Sequence, residues 1–164
     1  MRMRKKRNLD IFIKMYPDIL TVLEKPDPNI KKAIEIKKYL DLNTILGKDE
    51  VELEIGCGKG AFICELARQN PDKAYLAVEV NKNVIVEACK RARKMDLKNV
   101  HFLNTAAEIL PCFLKEDSVT RIYLNFSCPF PKYTYANRRL TSPRFFGKLQ
   151  ILLKKRRRDT SKNR

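Results

Sequence analysis

The sequence contains no apolar run close to the ~20 residues that a membrane-spanning helix needs, so a membrane span is not expected. Its N-terminus is basic but lacks the apolar core of a signal peptide. It also lacks any C-x-x-C pair, and its cysteines are odd in number, which disfavours a zinc site or a disulfide framework. A reducing cytoplasm, with no bound metal, fits this pattern best. The cysteines are Cys57, Cys64, Cys89, Cys112 and Cys128.

Acidic residues are also scarce. There are 19 Asp plus Glu against 35 Lys plus Arg, which gives a formal net charge of +16. Such an excess favours a polyanionic partner, with RNA or DNA first, although a merely soluble basic protein is the simpler alternative. Residues 1–7 read Met-Arg-Met-Arg-Lys-Lys-Arg, either an arm that lies on phosphates or a solvated tail. With 164 residues, 44% of them apolar, the chain is expected to form one folded domain.

The most informative stretch is residues 51–60, Val-Glu-Leu-Glu-Ile-Gly-Cys-Gly-Lys-Gly. Alternation of apolar and acidic residues over 51–55 predicts a strand. Three glycines at every second position then lead into a predicted helix over 61–68. Strand, glycine turn and helix are how an open α/β sheet forms a nucleotide-shaped crevice at its carboxyl edge. The alternative is a glycine-rich turn that binds nothing.

The spacing of Gly56, Gly58 and Gly60 limits which class of ligand the turn could bind. It is not the G-x-G-x-x-G of a dinucleotide site, so a nicotinamide-dependent oxidoreductase is disfavoured. Glu54 lies two residues before the first glycine, where a carboxylate would repel a pyrophosphate but attract a cation. S-adenosylmethionine (SAM) carries a sulfonium and an ammonium and no phosphate. The stretch resembles motif I of the class I SAM-dependent methyltransferases.

The remaining pattern alternates strands and helices, which predicts a right-handed parallel sheet of α/β type. Residues 8–29 are expected to wrap the domain without long elements, and 30–40 to form one helix. The predicted strands are 51–55, 74–80, 100–103 and 120–126. The predicted helices are 61–68, Lys82–Lys94 after an N-cap at Asn81, a short or irregular one over 106–114, and one with Pro143 in its first turn.

Two further positions follow strands at the same edge. Glu79 ends the second strand, where an acidic side chain can accept both ribose hydroxyls of an adenosine; a solvent-facing carboxylate is the alternative. After the fourth strand, Lys132, Arg138 and Arg139 are interleaved with aromatic residues, a composition suited to phosphates and unstacked bases. A basic surface loop with no ligand is again the simpler interpretation.

Taken together, these segments resemble the bacterial tRNA (guanine-N(7)-)-methyltransferases. The resemblance runs from residue 1 to about 155 and implies SAM as cofactor and tRNA as substrate. It implies that Glu54 and Glu79 contact SAM and that Lys132 contacts the substrate. The shared segments are Met-Arg-x-Arg-Lys-Lys at the start, Glu-Ile-Gly-Cys-Gly-Lys-Gly at 54–60, Val-Glu-Val-Asn-Lys at 78–82, Tyr-Leu-Asn-Phe-Ser at 123–127, Pro-x-Pro-Lys at 129–132 and Arg-Arg-Leu-Thr at 138–141.

Two acidic positions of the family pattern are neutral here, and Phe130 replaces a tryptophan of that pattern. Ala106 and Cys128 stand where the resemblance places aspartates of the SAM site, so both are cofactor-site positions without their charge. Cys128 as a nucleophile is disfavoured, because this chemistry needs none and no histidine pairs with it in sequence. No catalytic residue is assigned.

The resemblance also bears on domain organisation. Residues 1–50 form a basic arm and leading helical segment, and 51–155 an incomplete Rossmann-like SAM-binding domain. That domain has about four of the family's seven strands, which implies a C-terminally truncated member. The basic residues 156–164 are interpreted as a possible frameshift product. The competing hypothesis is a non-catalytic remnant that keeps a basic RNA-binding surface; monomer and homodimer both stay open.

Overall fold

The computed structural model describes residues 7–23, 38–125 and 143–155. These residues form a parallel sheet with helices on both faces. The strands are β1 (Leu20–Val22), β2 (Val51–Ile55), β3 (Tyr75–Val78), β4 (Val100–Asn104) and β5 (Val119–Tyr123). The helices are α1 (Leu9–Lys14), α2 (Leu42–Leu46), α3 (Ala61–Gln69), α4 (Lys82–Lys94), a 3-10 helix (Ala107–Cys112) and α5 (Pro143–Gln150).

The sheet has five strands in the order β1-β4-β3-β2-β5, and every neighbouring pair is parallel. The predicted α/β parallel architecture is therefore confirmed, and the sheet has five strands where about four were predicted. The additional strand is β1, which lies in the segment expected to lack long elements and pairs Leu20 with Phe102. It has only three residues, too few to establish an alternation of apolar and polar side chains.

Locally determined elements match their predictions closely. β2 has the predicted bounds, and α4 has both the predicted bounds and the predicted cap, with Asn81 Oδ1 accepting from Asn83 N–H at 3.0 Å. α5 begins at Pro143 as predicted. The helix predicted over 30–40 falls largely outside the described residues, and its last part, 38–40, is not helical.

Two apolar layers bury the sheet. One face packs against α1, α3 and α4, and the other against α2, the 3-10 helix and α5. Along β2 the alternation decides which side chain faces which layer. Leu53 and Ile55 join the second layer, whereas Glu52 and Glu54 face the first, with exposures of only 6% and 1%. Two buried carboxylates on one central strand require partners or a function.

β5 lies at one edge of the sheet. Its first residue, Val119, also pairs with Leu153 through a single parallel bridge, whereas Thr120 and Arg121 are exposed. Among the described helices, none combines the length and the apolar composition that crossing a bilayer would require.

At the other edge of the sheet, where β1 pairs with β4, the buried His101 makes stability depend on pH. His101 is buried between β4 and β1, with Nε2 2.8 Å from Thr21 Oγ1, and burial lowers the pKa of His101 from its ordinary 6.5 to about 4. Between those values the unfolded chain binds a proton that the folded chain refuses, so stability falls as the pH falls. We expect acidification from pH 6.5 to 5 to cost about 2 kcal/mol at this site.

Chemical denaturation at pH 7 and pH 5 measures this loss. His101→Gln keeps a polar partner for Thr21 but does not titrate, so its stability should fall less over the same range. An equal loss in the variant would show that His101 is not the group responsible.

Candidate functional site

The glycine turn after β2 is docked on the end of β3. The backbone N–H groups of Gly56 and Cys57 both donate to the carbonyl of Val78, at 2.8 and 3.0 Å. Gly56, Gly58 and Gly60 all have positive φ, at 76°, 57° and 71°. A side chain at any of them would be strained, which explains the three glycines at alternate positions.

The three glycines differ in what surrounds them. A Cβ added at Gly60 would lie 2.8 Å from the Cβ of Ala88, so this glycine allows α3 and α4 to pack closely. A Cβ added at Gly56 or Gly58 would have no atom of the described residues within 4 Å. Gly60 is therefore constrained by packing, whereas the backbone at Gly56 and Gly58 borders open space that a ligand could occupy.

Glu79 immediately follows β3 and holds the turn together. Its carboxylate accepts from Gly58 N–H at 3.1 Å and from Asn81 N–H at 2.8 Å. The same side chain thus links the glycine turn to the N-terminus of α4. Because each carboxylate oxygen has two lone pairs, both oxygens retain acceptor capacity.

Glu54 lies beneath the start of α3. Its Oε1 accepts from Asn125 Nδ2 at 3.1 Å, but its Oε2 is buried and has no hydrogen-bond partner among the described residues. Burial raises the pKa of Glu54, and the contacts from Asn125 and the backbone of Ile63 oppose that rise only in part. A buried carboxylate oxygen without a donor is costly unless something else satisfies it.

The two predicted carboxylates flank Cys57. Burial raises the pKa of the Cys57 thiol above its usual range, and the charges of Glu54 and Glu79 raise it further. The structure therefore brings Glu54, Glu79, Gly56 and Gly58 together around one turn. It makes Cys57 an inert thiol rather than a nucleophile.

The other predicted site residues divide into two groups. Ala106 precedes the 3-10 helix in an extended conformation and provides no side-chain cap, beside Thr105, whose buried Oγ1 is unpartnered among the described residues. Cys128, Lys132, Arg138 and Arg139 lie outside the described residues. Within those residues, no group of three or more His, Cys, Asp or Glu side chains could hold a metal ion.

Sequence reasoning did not assign Asn104 or Asn125. Asn104 Nδ2 donates to the carbonyls of Glu79 and Val80, and Asn125 Nδ2 donates to Glu54. Asn125 also lines a largely apolar cavity of about 640 Å³ along α3, together with Phe62 and Leu66. Both asparagines lie at or just after the carboxyl end of a strand. That position alone could have marked them in the sequence as candidate site residues.

Comparison with known proteins agrees with this geometry. Residues 48–157 match the family model "Putative methyltransferase". A solved antibiotic-related methyltransferase is 26% identical, with a TM-score of 0.53 over 73% of this chain and 63% of that one. The fold and the family match therefore define a Rossmann-like methyltransferase.

Curated relatives narrow the family. The tRNA (guanine-N(7)-)-methyltransferase of Lactobacillus helveticus is 36% identical over 94% of this chain and 67% of its own length. That of Bacillus subtilis is 40% identical over 69% of this chain and 54% of its own length. The chain belongs to the tRNA (guanine-N(7)-)-methyltransferase family, and it spans about half the length of the Bacillus relative.

The different roles of the glycines are testable by stability. We expect Gly60→Ala to destabilise by about 2 kcal/mol or more, because strain at positive φ adds to the clash with Ala88. Gly47→Ala is the matched control: Gly47 also has positive φ, 66°, but a Cβ there meets no atom within 4 Å.

Denaturant titration of the two variants separates strain from clash. Ala88→Gly introduced into Gly60→Ala should recover part of the loss, since it removes the opposing methyl group. If Gly60→Ala costs no more than Gly47→Ala, close packing against α4 is not what requires this glycine.

Proposed function

We propose that this chain binds SAM at the glycine turn and methylates N(7) of a guanine in the variable region of tRNA. The observation that carries the proposal is Glu54. Its Oε2 is buried and unpartnered within the described part of the chain, near the end of β2 and two residues before the turn in which Gly56 and Gly58 border open space. A cationic ligand with N–H donors would satisfy that oxygen.

The residues present fit SAM. Glu54 offers a carboxylate to a positively charged group, and Gly56 and Gly58 let a ligand approach the backbone. Glu79 retains acceptor capacity for ribose hydroxyls. Ala106 contributes no charge, which weakens the site relative to the family pattern by about 1–3 kcal/mol if a charged hydrogen bond is lost.

The proposed methyl transfer needs few catalytic groups from the protein. When bound, SAM supplies the methyl group as an electrophile. The N(7) atom of guanine has a free lone pair and no proton, so no general base is required. The chain's task is to orient donor and acceptor, and its carboxylates tolerate the positive charge that the product ring acquires.

Recognition of tRNA is assigned to the basic residues. The net charge of +16 provides long-range attraction to a polyanion. By family resemblance, Lys132 contacts the substrate; we assign Arg138, Arg139 and the N-terminal arm to phosphate binding. Because tRNA is the proposed substrate, we also propose the cytoplasm as the compartment.

A second candidate is a non-catalytic RNA-binding protein. One observation favours it: Ala106 is neutral where the family pattern has an aspartate. A neutral residue there weakens the case for SAM binding without affecting the basic residues.

Transfer of a labelled methyl group to unmodified tRNA distinguishes the two. The methyltransferase predicts incorporation that depends on a guanine in the variable region. Retention of tRNA without incorporation, by a chain that still melts cooperatively, would favour the non-catalytic candidate instead.

Glu54→Gln tests the cofactor assignment. The amide is isosteric but uncharged, so affinity for SAM should fall about tenfold, the loss of one charged hydrogen bond. Stability should not fall, because a buried charge whose pKa burial raises is removed. Isothermal titration with SAM and a thermal melt measure the two effects.

Glu52→Gln is the matched control, two residues earlier on the same strand. Unlike Glu54, Glu52 has a partner on each carboxylate oxygen, accepting from Lys73 Nζ at 3.0 Å and Tyr123 Oη at 2.6 Å. Burial acts to raise its pKa, but Tyr123 and Lys73 outweigh burial and hold the pKa below its usual range. This variant should lose stability and keep its SAM affinity. Equal affinity in both variants would contradict the assignment of Glu54.

A further inference from the structure

Asn104, the last residue of β4, makes contacts outside the strand ladder. Its side chain is buried, with 4% exposure, and its Nδ2 donates to the carbonyl of Glu79 at 2.8 Å and to that of Val80 at 3.1 Å. Its own carbonyl accepts from Leu23 N–H at 3.2 Å, just after β1. Asn104 thus joins the ends of three strands: it ends β4, its side chain bonds the segment after β3, and its backbone carbonyl bonds the residue after β1.

The position of these carbonyls explains their need for a donor. β3 ends at Val78, so Glu79 and Val80 lie beyond the strand; the N–H of Glu79 still donates to the Leu103 carbonyl at 3.1 Å, and Val80 lies at a bend. Val80 is 66% exposed. Asn104 supplies the two N–H groups that bond this turn, and an amide is a neutral side chain that offers two donors from one atom.

The contact continues to the candidate site through Glu79. The backbone that Asn104 fixes is the one from which the Glu79 carboxylate reaches Gly58 N–H and Asn81 N–H. Displacing this turn would misdirect the carboxylate and weaken its bond to Gly58 N–H, although Gly56 and Cys57 would still bond the carbonyl of Val78.

We propose that Asn104 is a positioning residue that sets the shape of the glycine turn through Glu79. Its effect on SAM rests on the proposed function, but its effect on the turn does not. Asn99 has a different role. It precedes β4, at the amino ends of the strands, where its Nδ2 bonds three carbonyls at 3.0 Å, those of Ala67, Asn70 and Lys73.

Amide hydrogen exchange of the full chain without ligand tests the coupling directly. Asn104→Ala should accelerate exchange at Gly58 and Asn81 about tenfold, because the hydrogen bonds that protect the two amides would open more often. Asn99→Ala should lower the melting temperature while leaving exchange at Gly58 and Asn81 unchanged. Unchanged exchange at both amides in a folded Asn104→Ala would overturn the proposal.

If Asn104→Ala does not fold, Glu79→Gln provides a second test. It leaves the backbone bonds from Asn104 in place but weakens the side-chain acceptor for the Gly58 and Asn81 N–H groups. Faster exchange at Gly58 and Asn81 in this variant supports the proposed link. Exchange equal to that of the unmodified chain shows that the carboxylate does not hold the turn and overturns the proposal.

Titration with SAM separates the effect of Asn104 on cofactor binding from its effect on the shape of the turn. If the unmodified chain binds SAM, Asn104→Ala should bind about tenfold more weakly and Asn99→Ala equally well. Equal binding by Asn104→Ala would contradict the role of Asn104 toward the cofactor. If the unmodified chain does not bind, the proposed function is wrong, and the exchange measurement still decides whether Asn104 shapes the turn.

Discussion

The candidate site depends on the hydrogen bonds that the backbone N–H groups of Gly58 and Asn81 donate to the Glu79 carboxylate. They join the turn after β2 to the start of α4, at the place where β3 ends. The surrounding features follow from that junction. Gly58 can reach Glu79 because its φ is positive, α4 starts with the cap that Asn81 provides, and Asn104 fixes the backbone that carries the carboxylate.

The same junction concentrates negative charge in a protein that is otherwise strongly basic. Glu79 and Glu54 both raise the pKa of Cys57, so their fields overlap at the turn. Glu54 is buried with one oxygen unpartnered in the described region, whereas Glu52, on the same strand, is paired with Lys73 and Tyr123. A local pair of carboxylates on an otherwise strongly basic chain suits the proposed cationic cofactor and anionic substrate.

Features decided by neighbours in sequence were predictable. The alternation in β2, the cap at Asn81 and the glycines of the turn are local, and the structure reproduces the bounds of β2 and α4. The proximity of Glu54 and Glu79 to one turn also followed, because the carboxyl ends of neighbouring parallel strands meet.

Features decided by distant residues were not. β1 is a strand because β4 provides its partner, Gly60 is required by Ala88, and Asn104 matters through the carbonyls of Glu79 and Val80. Each depends on a contact between residues 24 to 82 positions apart, and none leaves a periodic pattern in the sequence. The roles of Cys128, Lys132, Arg138 and Arg139 stay predictions.

The most direct measurement is a titration of the isotope-labelled full chain with SAM, followed through the amide resonances of its five glycines. The account predicts that the Gly56 and Gly58 resonances shift with a saturable dependence on SAM. Gly47, which also has positive φ but precedes β2 at the opposite edge, should not move with them. Unshifted resonances at Gly56 and Gly58, or shifts no larger than that of Gly47, would contradict the claim that this turn binds the methyl donor.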